Sequence, residues 1–209
     1  MTGSRLDALD EPTIHLVRLA ALVAGGTETQ VRDALALAST SVPQLWVDEL
    51  LVQSYLFCGF PRALNAARDW RRVAPDPAPL SDETDDVIHV EEWRERGIAT
   101  CKAVYGTMYE KLRQNVRELH PALDASMVVE GYGKILGRPG LDLGRRELCI
   151  VAACASTGQD RQLHSHLHGA LNVGVAPRVV EAAVEALEPV VGAGRCRIIR
   201  LLLARVLGK

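Results

Sequence analysis

The sequence predicts an all-α fold, and three observations lead to this prediction. Apolar residues recur at helical spacing along almost the whole chain of 209 residues. The composition is rich in Ala, Leu and Val and holds only 4% aromatic residues, which suits close packing of helices better than a β-sandwich. A helical hairpin also occurs twice along the chain, which indicates a repeated architecture.

The first third of the chain predicts a series of helices separated by glycine and proline. Ile14, Val17 and Ala21 share one side of the first helix. A Gly-Gly pair suits the end of a helix, and a proline is tolerated in a first helical turn. The sequence predicts that the first helix ends at 25–26 and that a second runs from Thr27 or Thr29 to about Ser39. A third helix is predicted over 44–58 and a fourth over 63–71, with a break at 59–61 between them.

The following segment differs in composition and predicts an exposed linker. Three prolines, at 75, 77 and 79, lie among five acidic residues between 76 and 86. We therefore divide the chain into three parts. These are an N-terminal helical repeat over 11–73, an acidic, proline-rich linker over 74–89 and a C-terminal helical domain over 90–209.

Helical spacing resumes at about Val90 and continues through Leu119. Pro121 begins a further helix, and three glycines between 131 and 137 weaken the helical conformation toward its C-terminal end. The helix that begins near Leu143 is apolar on nearly every side. Such a pattern predicts a central, buried helix.

Two segments of the chain resemble one another. Residues 31–36 resemble residues 167–172, and Val42-Pro43 matches Ala176-Pro177 at the start of a long apolar helix in each copy. The separation is about 134 to 136 residues, and each of these helices ends at a break that contains glycine. The repeated hairpin predicts pseudo-symmetric packing in which each copy covers the apolar face of the other.

Composition and charge argue against several classes of function. A net charge of −2 does not suit a surface for nucleic acid, and no stretch approaches the roughly 20 apolar residues of a membrane span. Residues 1–5 show no export signal, so we expect a cytoplasmic location. The five cysteines include no Cys-x-x-Cys pair, which favours reduced, buried thiols.

The polar chemistry of the chain is concentrated between Glu147 and His168. Residues 162–168 hold three of the six histidines. On a helix, His164 and His168 share one face, whereas His166 lies about 200° away on the side near Gln159 and Gln162. Glu147 belongs to the preceding helix and would reach His166 if the two helices pack antiparallel. A carboxylate on one ring nitrogen would then leave the other nitrogen to handle a substrate proton.

These residues also have simpler interpretations. Glu147 lies near a helix start, where a carboxylate suits the helix dipole. His164 and His168 have a four-residue spacing that suits a metal, but no third ligand has a matching position. Surface histidines without any role remain an alternative for this pair, and we predict no metal and no cofactor.

Several motifs occur in order along the chain, at 104–106, His120-Pro121, 130–133, 138–142, 146–148, 163–166 and 169–174. Together they make the chain resemble the carboxymuconolactone decarboxylase and alkyl hydroperoxidase D superfamily. The resemblance covers residues 90–209 well and the first repeat more faintly. It implies an all-α, alkyl hydroperoxidase D-like helical bundle that assembles as a homo-oligomer, either a trimer or a hexamer.

In the alkyl hydroperoxidase branch, the resemblance implies a Cys-x-x-Cys pair that a Glu and a His activate. The pattern is a Glu, then cysteines at the twelfth and fifteenth positions after it, and a His at the nineteenth. Counted from Glu147, these positions hold Gln159, Gln162 and His166. Glutamine supplies no thiolate to attack a peroxide, so thiol-dependent peroxidase activity is the less favoured alternative.

In the decarboxylase branch, the resemblance implies a carboxylated lactone bound in a helical pocket, with proton transfer assisted by His and Glu. We predict Glu147, His166 and His164 as catalytic residues. Tyr132, Arg138 and Gln162 are predicted to bind a small carboxylated or lactone substrate. A thiol peroxidase and a non-catalytic helical assembly protein remain the alternatives to this decarboxylase-like function.

Overall fold

A computed structural model describes residues 6–209, and the expectation about an export signal at residues 1–5 lies outside the described residues. The described chain is helical, as predicted, and its β-type pairing is limited to one isolated bridge between Leu6 and Val175. Among the described helices, none is long and apolar enough to cross a membrane. The helices are α1 (Glu11–Gly25), α2 (Glu28–Ser41), α3 (Gln44–Trp70), α4 (Val90–Tyr105), α5 (Tyr109–Leu119), α6 (Pro121–Ser126), α7 (Leu143–Thr157), α8 (Asp160–Asn172), α9 (Pro177–Ala186) and α10 (Glu188–Val206).

The chain forms two compact units. One unit combines Met1–Pro77 with Gly140–Lys209, and the other is Ala78–Pro139. This division differs from the predicted segments 11–73, 74–89 and 90–209. The reason is packing between segments distant in sequence, because α1 and α3 lie against helices of the last third of the chain and share one core with them.

The larger unit is built around α1 and α7. Both helices are apolar on most sides, and the predicted central helix from Leu143 corresponds to α7, with Leu148, Ile150 and Ala152 fully buried. Each of the two helices begins at an aspartate cap, Asp10 for α1 and Asp142 for α7. The caps accept hydrogen bonds from backbone N–H groups that would otherwise have no partner in the first helical turn.

The structure shows a repeat longer than the predicted hairpin. Helices α1, α2 and α3 correspond to α7, α8 and the α9–α10 pair. Helix α1 begins at Glu11 and α7 at Leu143, and the starts of α2 and α8, Glu28 and Asp160, are separated by the same offset. This offset is slightly shorter than the predicted separation, because the prediction rested on short sequence matches rather than on helix ends.

Both copies bend at a glycine. Gly59 interrupts α3 with φ 77° and ψ 159°, and Gly192 interrupts α10 with φ 80° and ψ 156°. A positive φ of this kind favours glycine over residues with a Cβ atom. The predicted break at 59–61 is therefore confirmed as a kink within one continuous helix, which extends to Trp70.

The smaller unit, Ala78–Pro139, differs from the prediction in two places. The predicted helix from Val90 to Leu119 is divided at Gly106, where φ 52° and ψ −127° end α4 before α5 begins. The glycine-rich end of the helix predicted from Pro121 is a π-helical segment over Met127–Leu136. Its Gly133 lies against the backbone of α4, where a Cβ would clash with the Trp93 carbonyl oxygen.

Candidate active site

A tight turn aligns α7 with α8. Gly158 ends α7 in the left-handed conformation with φ 72°, and its N–H donates to the carbonyl of Cys154. This is the usual way in which a glycine closes a helix and reverses the chain. The turn brings the middle of α8 back along α7, and it thereby determines which side chains of the two helices meet.

Glu147 of α7 and His166 of α8 are in direct contact. The distance between Glu147 Oε2 and His166 Nδ1 is 2.8 Å, and the two residues are 0% and 5% exposed. A carboxylate on Nδ1 holds the proton on that nitrogen, so in the neutral ring the lone pair lies on Nε2. The arrangement is that of an oriented acid–base histidine, although its role in catalysis stays a prediction.

The second oxygen of Glu147 has an unusual environment. Glu147 Oε1 is buried and makes no hydrogen bond to the described residues. An unsatisfied buried acceptor costs free energy, of the order of 1–3 kcal/mol. Such groups often mark sites where a ligand or a reacting group completes the hydrogen bonding.

A residue of the first copy of the repeat also contacts His166. Phe57 of α3 lies with its ring perpendicular to the His166 imidazole, and the ring centroids are 5.8 Å apart. Aromatic rings favour this edge-to-face arrangement. The sequence did not predict a contribution of Phe57, because the two residues are more than a hundred positions apart and only the packing of α3 against the second copy unites them.

The remaining predicted residues of α8 lie on the surface. His164 and His168 are exposed and contact each other, with ring centroids 4.9 Å apart. Partial burial and the neighbouring His164 lower the pKa of His168. Gln159 and Gln162, which replace the cysteines of the peroxidase pattern, are exposed as well. The structure thus separates His164 from the buried pair, and the predicted catalytic role of His164 has no contact to support it.

Tyr132 and Arg138 belong to the smaller unit and have other partners there. Arg138 lies 2.7 Å from Asp82, and this guanidinium holds the pKa of the Asp82 carboxyl well below its ordinary value. Tyr132 is 4% exposed and packs edge-on against Tyr105, with ring centroids 6.0 Å apart. Their predicted part in substrate binding stays a prediction.

Three of the cysteines, Cys58, Cys149 and Cys154, do not provide an activated thiol. All five are free, and Cys149 and Cys154 are buried in α7. Burial raises the pKa of Cys154 to about 12, with the Glu147 carboxylate as a second cause. Burial likewise raises the pKa of Cys149 and of Cys58. Because a thiolate is the reactive form, these thiols are poor nucleophiles near neutral pH.

Next to Glu147, Arg146 takes part in a buried network that the sequence analysis missed. Its guanidinium is fully buried and lies 2.6 Å from Glu49 Oε2 and 3.1 Å from Gln53 Oε1, both on α3. Its Nε donates to the carbonyl of Leu141. The available signal was Glu49, a charged residue within an apolar helical stretch. The network joins α3 to α7 directly beside the Glu147–His166 pair.

A small cavity lies between α1, α3 and α7. Its volume is about 10 Å³, which is room for about one water molecule. Phe57 lines this cavity and also contacts His166. The other lining residues are uncharged, namely Ala20, Ala24, Leu50, Gln53, Ser54, Cys58, Cys149 and Ala153.

One group in the described part of the chain has the spacing of a metal site. Glu185, Glu188 and Cys196 place one ligand atom each within 4.8 Å of one another. Arg200 already lies 2.5 Å from Glu188 and also bonds to Glu185, so its positive charge occupies the position a cation would take. The cluster is therefore explained as an ion-pair network between α9 and α10.

Fold and site together define a helical-repeat protein with a buried Glu–His pair, and comparisons with known proteins show what it is similar to. Residues 121–204 match the model of the carboxymuconolactone decarboxylase family, which supports the resemblance to this superfamily that the motifs indicated. The matched segment contains Glu147 and His166 but not the first copy of the repeat.

Two similar proteins extend the comparison to more of the chain. Peroxisomal protein 2 of Schizosaccharomyces pombe is 27% identical over 187 residues, which are 86% of this chain and 86% of that protein. Peroxisomal protein 2 of Saccharomyces cerevisiae is 24% identical over 159 residues, 64% of this chain and 56% of that protein. The match thus spans little more than half the length of the second relative.

Proposed function

We propose that Glu147 and His166 form an acid–base pair that transfers a proton to or from a small substrate. The observation that carries the proposal is the 2.8 Å contact between Glu147 Oε2 and His166 Nδ1 in a buried position. A buried histidine oriented by a carboxylate is a recurring arrangement in general acid–base catalysis. It holds the ring in one tautomer and stabilises the imidazolium that forms during proton transfer.

The reaction class that fits this pair is a decarboxylase-like lyase acting on a small carboxylated or lactone substrate. The bond between the carboxyl carbon and the neighbouring carbon breaks, and carbon dioxide leaves without the bonding electrons. The electron pair is delocalised into the unsaturated lactone, and the protonated His166 then delivers a proton to carbon. Glu147 stabilises the imidazolium before this step, and solvent returns the proton to the ring.

Two alternatives are less favoured. A thiol peroxidase needs a thiolate, whereas Gln159 and Gln162 replace the expected cysteines and burial raises the pKa of Cys154 to about 12. A non-catalytic assembly protein would gain nothing from burying Glu147 with one oxygen unsatisfied. This destabilising feature is easier to understand at a site that reacts.

The proposal is tested with Glu147→Gln and His166→Gln, with His168→Gln as a matched control on the exposed side of α8. Carbon dioxide release from a panel of small carboxylated lactones measures turnover. We expect either buried substitution to lower the rate by about 10²- to 10⁴-fold, as loss of a general acid does. His168→Gln should retain the wild-type rate. Unchanged turnover in His166→Gln would remove this residue from the mechanism.

We also propose a homo-oligomer, a trimer or a hexamer, because α3 exposes apolar side chains such as Phe60 and Leu64, at 59% and 58%. A clean monomer in light scattering at micromolar concentration would contradict this. A cytoplasmic location is the accompanying proposal. The two relatives carry a peroxisomal name, so recovery of this protein in an organelle fraction would overturn it.

A further inference from the structure

We propose that His164 and His168 form a binding site for a late first-row transition metal on the exposed face of α8. Both residues are exposed, and their ring centroids lie 4.9 Å apart. Each imidazole supplies one nitrogen ligand, and water fills the remaining positions around the metal. A third protein ligand, which the sequence does not offer, is needed for a closed structural site but not for an open one in which water exchanges.

The distance between the two rings suits chelation. Zinc lies about 2.0–2.1 Å from an imidazole nitrogen, so a metal with tetrahedral or square-planar angles holds two ring centroids about 4.5–5 Å apart. The observed separation of 4.9 Å between His164 and His168 lies within this range. Side chains four residues apart project from the same face of a helix. Because both are exposed, rotation about their side-chain bonds can point one nitrogen of each ring at a shared metal without disturbing the core.

The pair differs from the other four histidines of the chain, each of which has a polar partner. These partners are the Ser41 hydroxyl for His15, Glu92 for His89, the Ala122 N–H for His120 and Glu147 for His166. His164 and His168 make no hydrogen bond or ion pair with the described residues. Their ring nitrogens are therefore available to a ligand, and imidazole is the commonest metal ligand in proteins.

The packing of α8 holds the two histidines in place. Leu163 and Leu167, which directly precede them, are each 0% exposed. These buried leucines fix the rotation of α8 about its own axis, so that both imidazoles lie on the outer face. Two ligands on a helix that is already formed lose less freedom on binding than two ligands on a flexible loop.

The first copy of the repeat shows that the fold does not need this pair. The offset between the helix starts pairs His164 with Arg32 and His168 with Ala36. Arg32 forms ion pairs with Glu28 and Asp69. The same exposed face therefore carries charged groups in α2 and two adjacent imidazoles in α8.

The metal site is separate from the buried acid–base pair. His166 is 5% exposed and contacts Glu147 of α7, on the inner side of α8, whereas His164 and His168 are exposed. Metal binding is therefore independent of proton transfer by His166, and its test needs no turnover.

The test uses Cu²⁺ as the probe, because it binds nitrogen ligands most tightly among the divalent first-row metals. Calorimetric titration of the untagged full-length protein measures affinity, and electron paramagnetic resonance counts the imidazole nitrogens on the copper. We expect two nitrogens in the wild type. His164→Gln and His168→Gln should each leave one nitrogen and weaken binding at least tenfold. His120→Gln, which removes an exposed histidine outside the pair, is the matched control and should bind like the wild type.

A wild-type spectrum with fewer than two imidazole nitrogens, or equal affinity in the wild type and both single variants, would overturn the site. Zn²⁺ provides a second readout that does not oxidise thiols. A metal that binds only the folded helix stabilises it, so saturating Zn²⁺ should raise the Tm of the wild type and of His120→Gln more than that of His164→Gln or His168→Gln. Equal shifts in all four proteins would also overturn the site.

Discussion

The two copies of the helical repeat share a backbone plan but differ in what their central helices carry. Helix α7 holds Glu147, bonded to His166 of the next helix. When the starts of α1 and α7 are aligned, the position in α1 equivalent to Glu147 is His15, whose Nδ1 lies 2.7 Å from the Ser41 hydroxyl. One scaffold thus supports a buried Glu–His contact in one copy and a half-buried polar contact in the other. The comparison separates the requirements of the fold from the requirements of the site.

The same comparison shows which features both copies keep. Arg62 and Arg195 follow their kinks by three residues, and each donates from Nε to a carbonyl near the end of the central helix, Val23 in α1 and Ala155 in α7. These carbonyls lie in the last helical turn, where intrahelical donors are missing. The paired arginines are therefore structural, and the buried contact between Glu147 and His166 distinguishes the second copy from the first.

The largest expected effect comes from breaking the charge pair that joins the copies. In Glu49→Ala, Arg146 would remain buried without its carboxylate, and we expect a loss of about 3–5 kcal/mol in the free energy of unfolding. Urea denaturation measures this loss. The double variant Glu49→Met with Arg146→Met removes both charges and should recover most of it. A single Glu49→Ala variant as stable as wild type would show that the pair does not hold the copies together.

A smaller effect should distinguish the two paired arginines. Arg62 donates to three carbonyls, those of Leu22, Val23 and Gly26, whereas Arg195 donates to Ala155 and forms an ion pair with Asp160. We expect Arg62→Ala to cost about 2–3 kcal/mol and Arg195→Ala about 1 kcal/mol, from the usual contribution of charged hydrogen bonds. Thermal unfolding provides the comparison, with exposed Arg197→Ala as control. Equal losses would mean that the copies use these arginines alike.

The smallest expected effect concerns the cap of α1. Burial acts to raise the pKa of Asp10, but hydrogen bonds from Thr13 and the charge of Arg145 hold it below its ordinary value. The folded pKa is thus below the unfolded one, so the carboxylate stabilises the fold above the unfolded pKa, and this contribution is lost as pH falls through the folded pKa. Asp10→Ala should cost about 1 kcal/mol at neutral pH.

Asp10→Asn is the control for this pH dependence. Asparagine keeps an acceptor for the Thr13 N–H but carries no charge for Arg145, which lies 2.9 Å from Asp10. Stability of Asp10→Asn should therefore fall less than that of the wild type between neutral pH and pH values below the unfolded pKa. Identical acid sensitivity of both proteins, measured by urea denaturation at several pH values, would assign the effect to other carboxylates.

Local patterns were sufficient to predict the helices of the larger unit. The apolar spacing predicted α7 as a central helix, and the Gly59-Phe60-Pro61 motif predicted the kink in α3. These features depend on backbone preferences and on periodicity, which act between residues close in sequence. The prediction was wrong where the helix from Val90 was expected to continue, since Gly106 ends it with a positive φ.

The pairing of Glu147 with His166 follows from their short separation along the chain and a tight turn, so the sequence alone was sufficient to predict that the two would meet. The contribution of Phe57, the burial of Arg146 with Glu49 and the neutral cavity were decided by the tertiary structure. Each of these depends on α3 packing against helices that lie far away along the chain. Periodicity specifies which face of a helix is buried, but not which distant helix covers it, because that choice depends on how all the faces fit together.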